Sequence, residues 1–166
     1  MTATPSRTKA KVRIRSSDKA DLKSIEVLAT QWQEEGSTVG QEVGQFEHYL
    51  GESGYLLVAE EDESISAFLA AEEKTERLVI FDTEDPYIEL EELYVVPGKR
   101  GQGIGSQLVN ELKAMADTKG ICRFHVFSSS RELDRVISFY RRHGFQVWGM
   151  QAYAISAETF PGPQTT

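Results

Sequence analysis

One stretch constrains this chain more than any other: Leu93-Tyr94-Val95-Val96-Pro97-Gly98-Lys99-Arg100-Gly101-Gln102-Gly103-Ile104-Gly105-Ser106. A β-prone run ends at a proline, a basic glycine-rich turn follows, and a helical apolar stripe starts at once with Ile104, Leu108, Leu112 and Met115. The first N–H groups of such a helix have no internal partner. Glycines let the backbone approach a ligand closely and take positive φ. The helix dipole, Lys99 and Arg100 add positive charge, so the turn suits a phosphate or pyrophosphate. Two common phosphate loops are excluded. Gly-x-x-x-x-Gly-Lys-Ser/Thr is absent, and Gly-x-Gly-x-x-Gly fails because Gly103-x-Gly105 is followed by Gln107 and Leu108. The competing reading is a turn whose glycines only permit tight packing.

Composition narrows the partners. The chain has 166 residues, 40% of them hydrophobic and 27% charged, with a net charge of −8. That is globular composition for one domain, able to bury about 70% of its unfolded surface. A pI near 5.0 argues against a broad nucleic-acid face and suits a cationic partner. The single cysteine, Cys122, excludes an intrachain disulfide framework. No apolar run reaches membrane-span length, and Met1 to Lys11 lacks the apolar block of a secretory signal. The expectation is a cytoplasmic protein without a membrane or nucleic-acid partner.

The pattern along the chain predicts a mixed α/β fold with helices on both faces of one sheet. Residues 1–10 read as a disordered tail, 11–156 as a single domain and 157–166 as a second tail. Val12 and Ile14 mark a short strand. Asp18 is placed to cap a helix carrying Leu22, Ile25, Ala29 and Trp32, with Gly36 as its stop. Val43, Phe46, Tyr49 and Leu50 suggest a second helix. Tyr55–Ala59 and Ile65–Ala71 read as a hairpin around the turn Glu60–Glu63. Residues 72–86 read as a polar loop, and Tyr87–Val96 as the strand that enters the glycine-rich turn. After the next helix, which Gly120 ends, Cys122–Phe127 reads as a buried strand with an inert thiol. Ser129 and Glu132 have capping-box spacing before a helix striped by Leu133, Val136, Ile137 and Tyr140, and Gly144 ends it. Phe145–Ile155 supplies one or two last strands.

Two signatures now carry a resemblance over most of the chain. Arg100-x-x-Gly103-x-Gly105, after a strand ending Leu93-Tyr94-Val95-x-Pro97, resembles the acetyl-CoA-binding motif of the GNAT N-acetyltransferases. Phe139-Tyr140-Arg-Arg-His-Gly144-Phe145 is similar to the family's second signature, and the order and spacing fit. The resemblance implies a GNAT-like, mostly antiparallel sheet of about six to seven strands. It implies acetyl-CoA as co-substrate, no metal, and direct acetyl transfer to an amine. Pyrophosphate would lie against Arg100, Gly101, Gln102, Gly103, Ile104, Gly105 and Ser106. The pantetheine arm would pair with the backbone of Leu93, Tyr94 and Val95 like an added strand, which needs a splayed or bulged edge. The Val95 N–H would polarise the thioester carbonyl, and the Tyr140 hydroxyl would protonate the departing thiolate. Tyr140 also fits the apolar stripe as a core aromatic. The resemblance further implies a homodimer paired along Phe145–Ile155. One position departs: many members carry an Asn where this chain has Leu133, with Ser130 and Asp134 as the nearby polar groups.

The acceptor must lose a proton. An alkyl ammonium of pKa near 10.4 is neutral in only about one part in 2,500 at pH 7, a deficit of about 4.6 kcal/mol. A carboxylate can accept that proton. Glu89, Glu91 and Glu92 precede the turn; alternation puts Glu89 and Glu91 on one face and Glu92 on the other unless a bulge intervenes. Glu89 aligns with the base of the family's histone-acetylating branch and is the first choice; Glu92 is the second. Each also reads as part of a solvated charge cluster. Trp32, Phe46, His48 and Tyr49 fall in the segment the family uses as an acceptor lid. His48, His125 and His143 lack metal-ligand spacing, and no Gly-x-Ser-x-Gly elbow exists. The resulting reading is an N-acetyltransferase of a small cationic amine. Its rivals are a protein lysine or N-terminal acetyltransferase acting on a peptide amine, and a non-catalytic acyl-CoA-binding regulator.

Overall fold

The computed structural model of the chain describes residues 11–40, 42–81 and 83–149. In order the elements are β1 (Arg13–Ser16), α1 (Leu22–Glu35), β2 (Gly54–Glu61), β3 (Ser64–Lys74), β4 (Tyr87–Val95), α2 (Ile104–Thr118), β5 (Phe124–Val126) and α3 (Leu133–Arg142). Single 3₁₀ turns occupy Glu47–Leu50 and Pro97–Lys99. The strands lie in the order β1-β2-β3-β4-β5. The first four are antiparallel, and β5 joins β4 in parallel.

The sheet is apolar on both faces because a helix covers each. Alternate residues of β2 and β3 feed two clusters. Leu57, Ala59, Ala67 and Leu69 pack with Ile104, Leu108, Val109 and Leu112 of α2. Leu56, Val58, Phe68 and Ala70 pack with Ile25, Leu28 and Ala29 of α1. Burial of each large side chain contributes about 1.5–3 kcal/mol. The hairpin between β2 and β3 turns on Asp62 and Glu63, both at positive φ (50° and 61°), as the twist of a two-residue turn demands. Among the described residues no helix is long and apolar enough to cross a membrane.

Several expectations require correction. The described sheet has five strands rather than six to seven. Phe145–Gly149 carries no strand, and the rest of the expected final strands, like both expected tails, lies outside the described residues. Asp18 does not cap α1. Its Oδ1 accepts from the Ala20 N–H, while Asp21 stands at the N-cap and is turned into a two-pronged ion pair with Arg15. The helix expected over Val43–Leu50 is reduced to one 3₁₀ turn; Gly44 weakens helix there, and Phe46 and Tyr49 are held by the core instead. β3 runs on to Lys74, into the expected loop. Cys122 is exposed and precedes the short β5, because Ile121 takes the buried position beside it. The capping box fails: Ser129 Oγ donates to the Val39 carbonyl, and Glu132 itself is the N-cap. Leu133 is half exposed, since α3 is anchored by its far end, through Phe139 and Tyr140.

Candidate active site

A bulge in β4 organises the site. Ala70 faces Glu92 and Ala71 faces Leu90, so Glu91 is an extra, unpaired residue. Such an insertion bends the strand and shifts its alternation by one. Ile88 and Leu90 therefore point into the α2 cluster while Tyr94 points into the α1 cluster. Glu89, Glu91 and Glu92 all come to the α1 face, which strict alternation would forbid for Glu92.

The same bend opens an edge. Pairing between β4 and β5 stops at Leu90 with Val126. Ahead of the bulge, the Ile88 N–H donates toward β5, to the Arg123 carbonyl at 2.9 Å. Beyond it the Val96 N–H donates to Ser66 at 3.0 Å, on the β3 side. The period of two then turns the peptide groups of Leu93 and Val95 to the edge that β5 has left. There the Val95 carbonyl accepts from Arg100 Nε at 2.8 Å.

The strand leads directly into the cradle. Gly101 and Gly103 sit at φ 74° and 81°, which a side chain would strain. Among the described residues no carbonyl bond from the N–H groups of Ile104, Gly105 or Ser106 is seen, and the first bond into α2 is Gln107 N–H to Gly103 at 3.0 Å. The N–H groups of the first turn of α2 are thus left without a helical partner. Lys99 and Arg100 do not point into the cradle as free charges. Lys99 pairs with Glu61. The Arg100 guanidinium bonds Glu35 at 2.6 Å and lies 5.5 Å from the centre of the Tyr94 ring. Glu35 also accepts from the Tyr94 hydroxyl. At Gly105 a Cβ would lie 3.5 Å from the Phe139 ring, so α3 sits close against the first turn of α2. One turn further along α3, His143 Nε2 lies 3.0 Å from Ser106 Oγ.

Around the open edge stand the groups that can move protons. Glu92 is half-buried, its buried Oε2 has no hydrogen-bond partner among the described residues, and burial, then the neighbouring Glu91, push its carboxyl up to about 7. Glu91 accepts from the Tyr49 hydroxyl and lies 3.5 Å from Lys74 Nζ, which also pairs with Glu72. Glu89 Oε1 is 3.2 Å from His125 Nδ1. Tyr140 packs on the opposite face, between Phe139 and Phe145 at ring separations of 5.1 and 5.2 Å. It belongs to the same cluster as Leu93 and Val95, and burial holds its hydroxyl well above the usual tyrosine range. Among the described residues no group of three or more His, Cys, Asp or Glu is placed to hold a metal ion.

Of the other sequence candidates, Trp32 stacks on Tyr94 at 5.5 Å and Phe46 is core. His48 covers Tyr49 at 3.8 Å. Ser130 Oγ accepts from the Glu132 N–H, and Asp134 is exposed in the first turn of α3. Sequence reading missed Glu35, Lys74 and the pairings of His125 and His143. Their partners lie far away in the chain, and no local spacing announces them.

The comparisons agree with this geometry. Residues 52–147 match the family model described as "Acetyltransferase (GNAT) domain". The chain belongs to that family: the class its fold and site define is the acetyl-CoA-dependent N-acetyltransferases. Among solved structures, aminoglycoside N-acetyltransferase AAC(6′)-Iy in complex with CoA superposes with TM-score 0.74 at 20% identity, covering 93% of this chain and 99% of that one. The aminoglycoside 6′-N-acetyltransferase AAC(6′)-IG from Acinetobacter haemolyticus gives 0.65 at 21%, covering 87% and 97%. A protein described as a "predicted acetyltransferase", with acetyl-CoA, from Clostridium acetobutylicum gives 0.68 at 18%, covering 87% and 96%. At these identities the likeness is one of fold. No curated protein matches the sequence.

Proposed function

We propose that this enzyme transfers acetyl from acetyl-CoA directly to a primary amine of a small cationic substrate. The observation that carries the reading is the meeting of three features at one end of β4. These are the open edge at Leu93 and Val95, the glycine-rich turn and first helical turn of Gly101–Ser106, and the carboxylates that the bulge brings to the α1 face. The N–H groups of that helical turn fit a pyrophosphate, and the open edge fits the amides of a pantetheine arm.

Acetyl-CoA, when bound, supplies an activated thioester. The chain's own residues do the rest. The N–H groups of Gly101–Ser106 hold the pyrophosphate. The peptide groups of Leu93 and Val95 align the arm, and the Val95 N–H polarises the carbonyl. Glu92 takes the proton of the incoming ammonium; a carboxyl near 7 is mostly ionised at pH 8 and far better matched to an amine than one at 4.5. The amine nitrogen bonds the acyl carbon as the carbon–sulfur bond breaks; Tyr140 gives its proton to the departing sulfur, and the second proton shed by the nitrogen as the amide forms restores the tyrosine hydroxyl. Glu89 is less suited than Glu92 because His125 already engages it. Glu72, Glu89 and Glu91, with Lys74 paired to Glu72 and Glu91, favour an acceptor that carries further positive charge. The relatives AAC(6′)-Iy and AAC(6′)-IG act on aminoglycosides by name, which supports this class of acceptor.

Titration calorimetry with acetyl-CoA, followed by thiol release across amines and lysine peptides, tests the reading. Micromolar binding with turnover on cationic small amines is expected. Turnover confined to peptides overturns the acceptor class, and no binding overturns the whole.

A further inference from the structure

The contact between His143 and Ser106 joins two elements in a place the reading above leaves unused. Ser106 lies in the first turn of α2, whose N–H groups have no helical partner. His143 is the C-cap of α3, half-buried, with Nε2 3.0 Å from Ser106 Oγ. Its ring is fixed by Phe139, 4.8 Å away, and its carbonyl accepts from Lys113 Nζ on α2.

The charged groups that act on the ring are Lys113 from α2 and Arg142 from its own helix, and no carboxylate is among them. Burial comes first and these cations second; together they hold the imidazole below its usual range, against the pull of the α3 dipole. The ring is therefore poised neutral in a cationic corner. An anion in the cradle reverses the balance, since it stabilises the charged ring. Hydrogen-bond direction points the same way. A hydroxyl has one proton. If Ser106 gave it to the ring, only lone pairs would face a phosphate oxygen. If the ring donates to Oγ, the hydroxyl proton is free for the phosphate.

We propose that His143 is a positioning residue of the pyrophosphate site: it donates through Nε2–H to Ser106 Oγ, aims the hydroxyl proton at a phosphate oxygen, and takes up a proton when the anion binds. The inference rests on the acetyl-CoA reading. Anion binding raises the bound-state pKa above the free-state value, so affinity rises as pH falls through that interval.

Dephospho-CoA is the probe, because it keeps the pyrophosphate and lacks the 3′-phosphate, which itself titrates near pH 6. Calorimetry in buffers of different ionisation enthalpy reads proton uptake directly. For the wild-type chain at pH 6 we expect uptake of about half a proton and affinity about fivefold tighter at pH 5.5 than at pH 8. His143→Gln, which keeps a donor but cannot be charged, loses both the uptake and the pH slope. Ser106→Ala, which keeps the histidine, loses most of the slope and binds more weakly at both pH values. Binding without proton uptake, or an equal slope in wild type and His143→Gln, overturns this inference and leaves the acetyl-CoA reading standing. No binding of dephospho-CoA at either pH overturns this inference, and the acetyl-CoA reading falls with it only if acetyl-CoA itself also fails to bind.

Discussion

Glu92 shows how one position serves chemistry at the expense of stability. Its Oε2 is buried without a partner and its carboxyl is raised to about 7. Below pH 4.5 the group is protonated in both folded and unfolded chains. As pH rises toward 7 the unfolded chain ionises first, so stability falls, by about 3 kcal/mol once the pH is above 7. Glu92→Gln should therefore raise the melting temperature at pH 8 while leaving it unchanged near pH 4. The same variant should lower kcat at pH 8 by about 10²–10⁴-fold and abolish the rise of activity through pH 7. A pH–rate profile and a melting series at two pH values check both halves; an unchanged profile removes Glu92 from catalysis. Tyr140 makes the complementary case. Its ring is held by aromatic contacts with Phe139 and Phe145. Tyr140→Phe should keep the fold and the affinity for acetyl-CoA, and lower kcat by about 10²-fold. Unchanged turnover would return Tyr140 to a packing role.

At the level of elements, β4 decides the site. Deleting Glu91 removes the bulge yet keeps Leu90 and Glu92 opposite Ala71 and Ala70, so each half of the strand keeps its faces. The straightened strand no longer diverges from β5. The deletion variant should still unfold cooperatively but bind acetyl-CoA at least about tenfold more weakly, as calorimetry would read. The 3₁₀ turn at Glu47–Leu50 is equally tied to its neighbour. A Cβ on Gly54, at the start of β2, would sit 2.3 Å from the Tyr49 carbonyl oxygen. Neither backbone can give way without moving Tyr49, whose hydroxyl reaches Glu91. Gly54→Ala should cost about 2–3 kcal/mol, seen as a lower denaturant midpoint. A strap joins the end of α1 to the β5–α3 loop: Val39 N–H to Ser129 and Arg131 N–H to Ser37, at 3.0 and 2.9 Å. Sequence reading did not foresee it, because backbone pairs between loops leave no residue-type signature.

Across the whole molecule, charge and topology carry the reading of function. A net charge of −8, with carboxylates gathered on the α1 face of β3 and β4, should attract cationic acceptors over a distance of about one Debye length. The KM of a dicationic acceptor should therefore rise several-fold between about 0.05 and 0.5 M salt, and that of a monoamine less; equal slopes would show that the acidic face does not steer substrate. The hairpin, the strand–turn–helix around the glycines and the order of the elements from β2 to α3 were legible in the chain, because each rests on contacts within a few residues: Pro97 ending a strand, Gly101 and Gly103 at positive φ, Ile104 and Leu108 one turn apart. The two GNAT signatures are local for the same reason. What only the tertiary structure decided is where β4 slips by one residue against β3. That slip puts Glu92 beside Glu91 instead of behind it, opens the edge at Leu93 and Val95, and leaves Glu89 to His125. A register shift is a property of two strands together, and the sequence of either strand alone does not contain it.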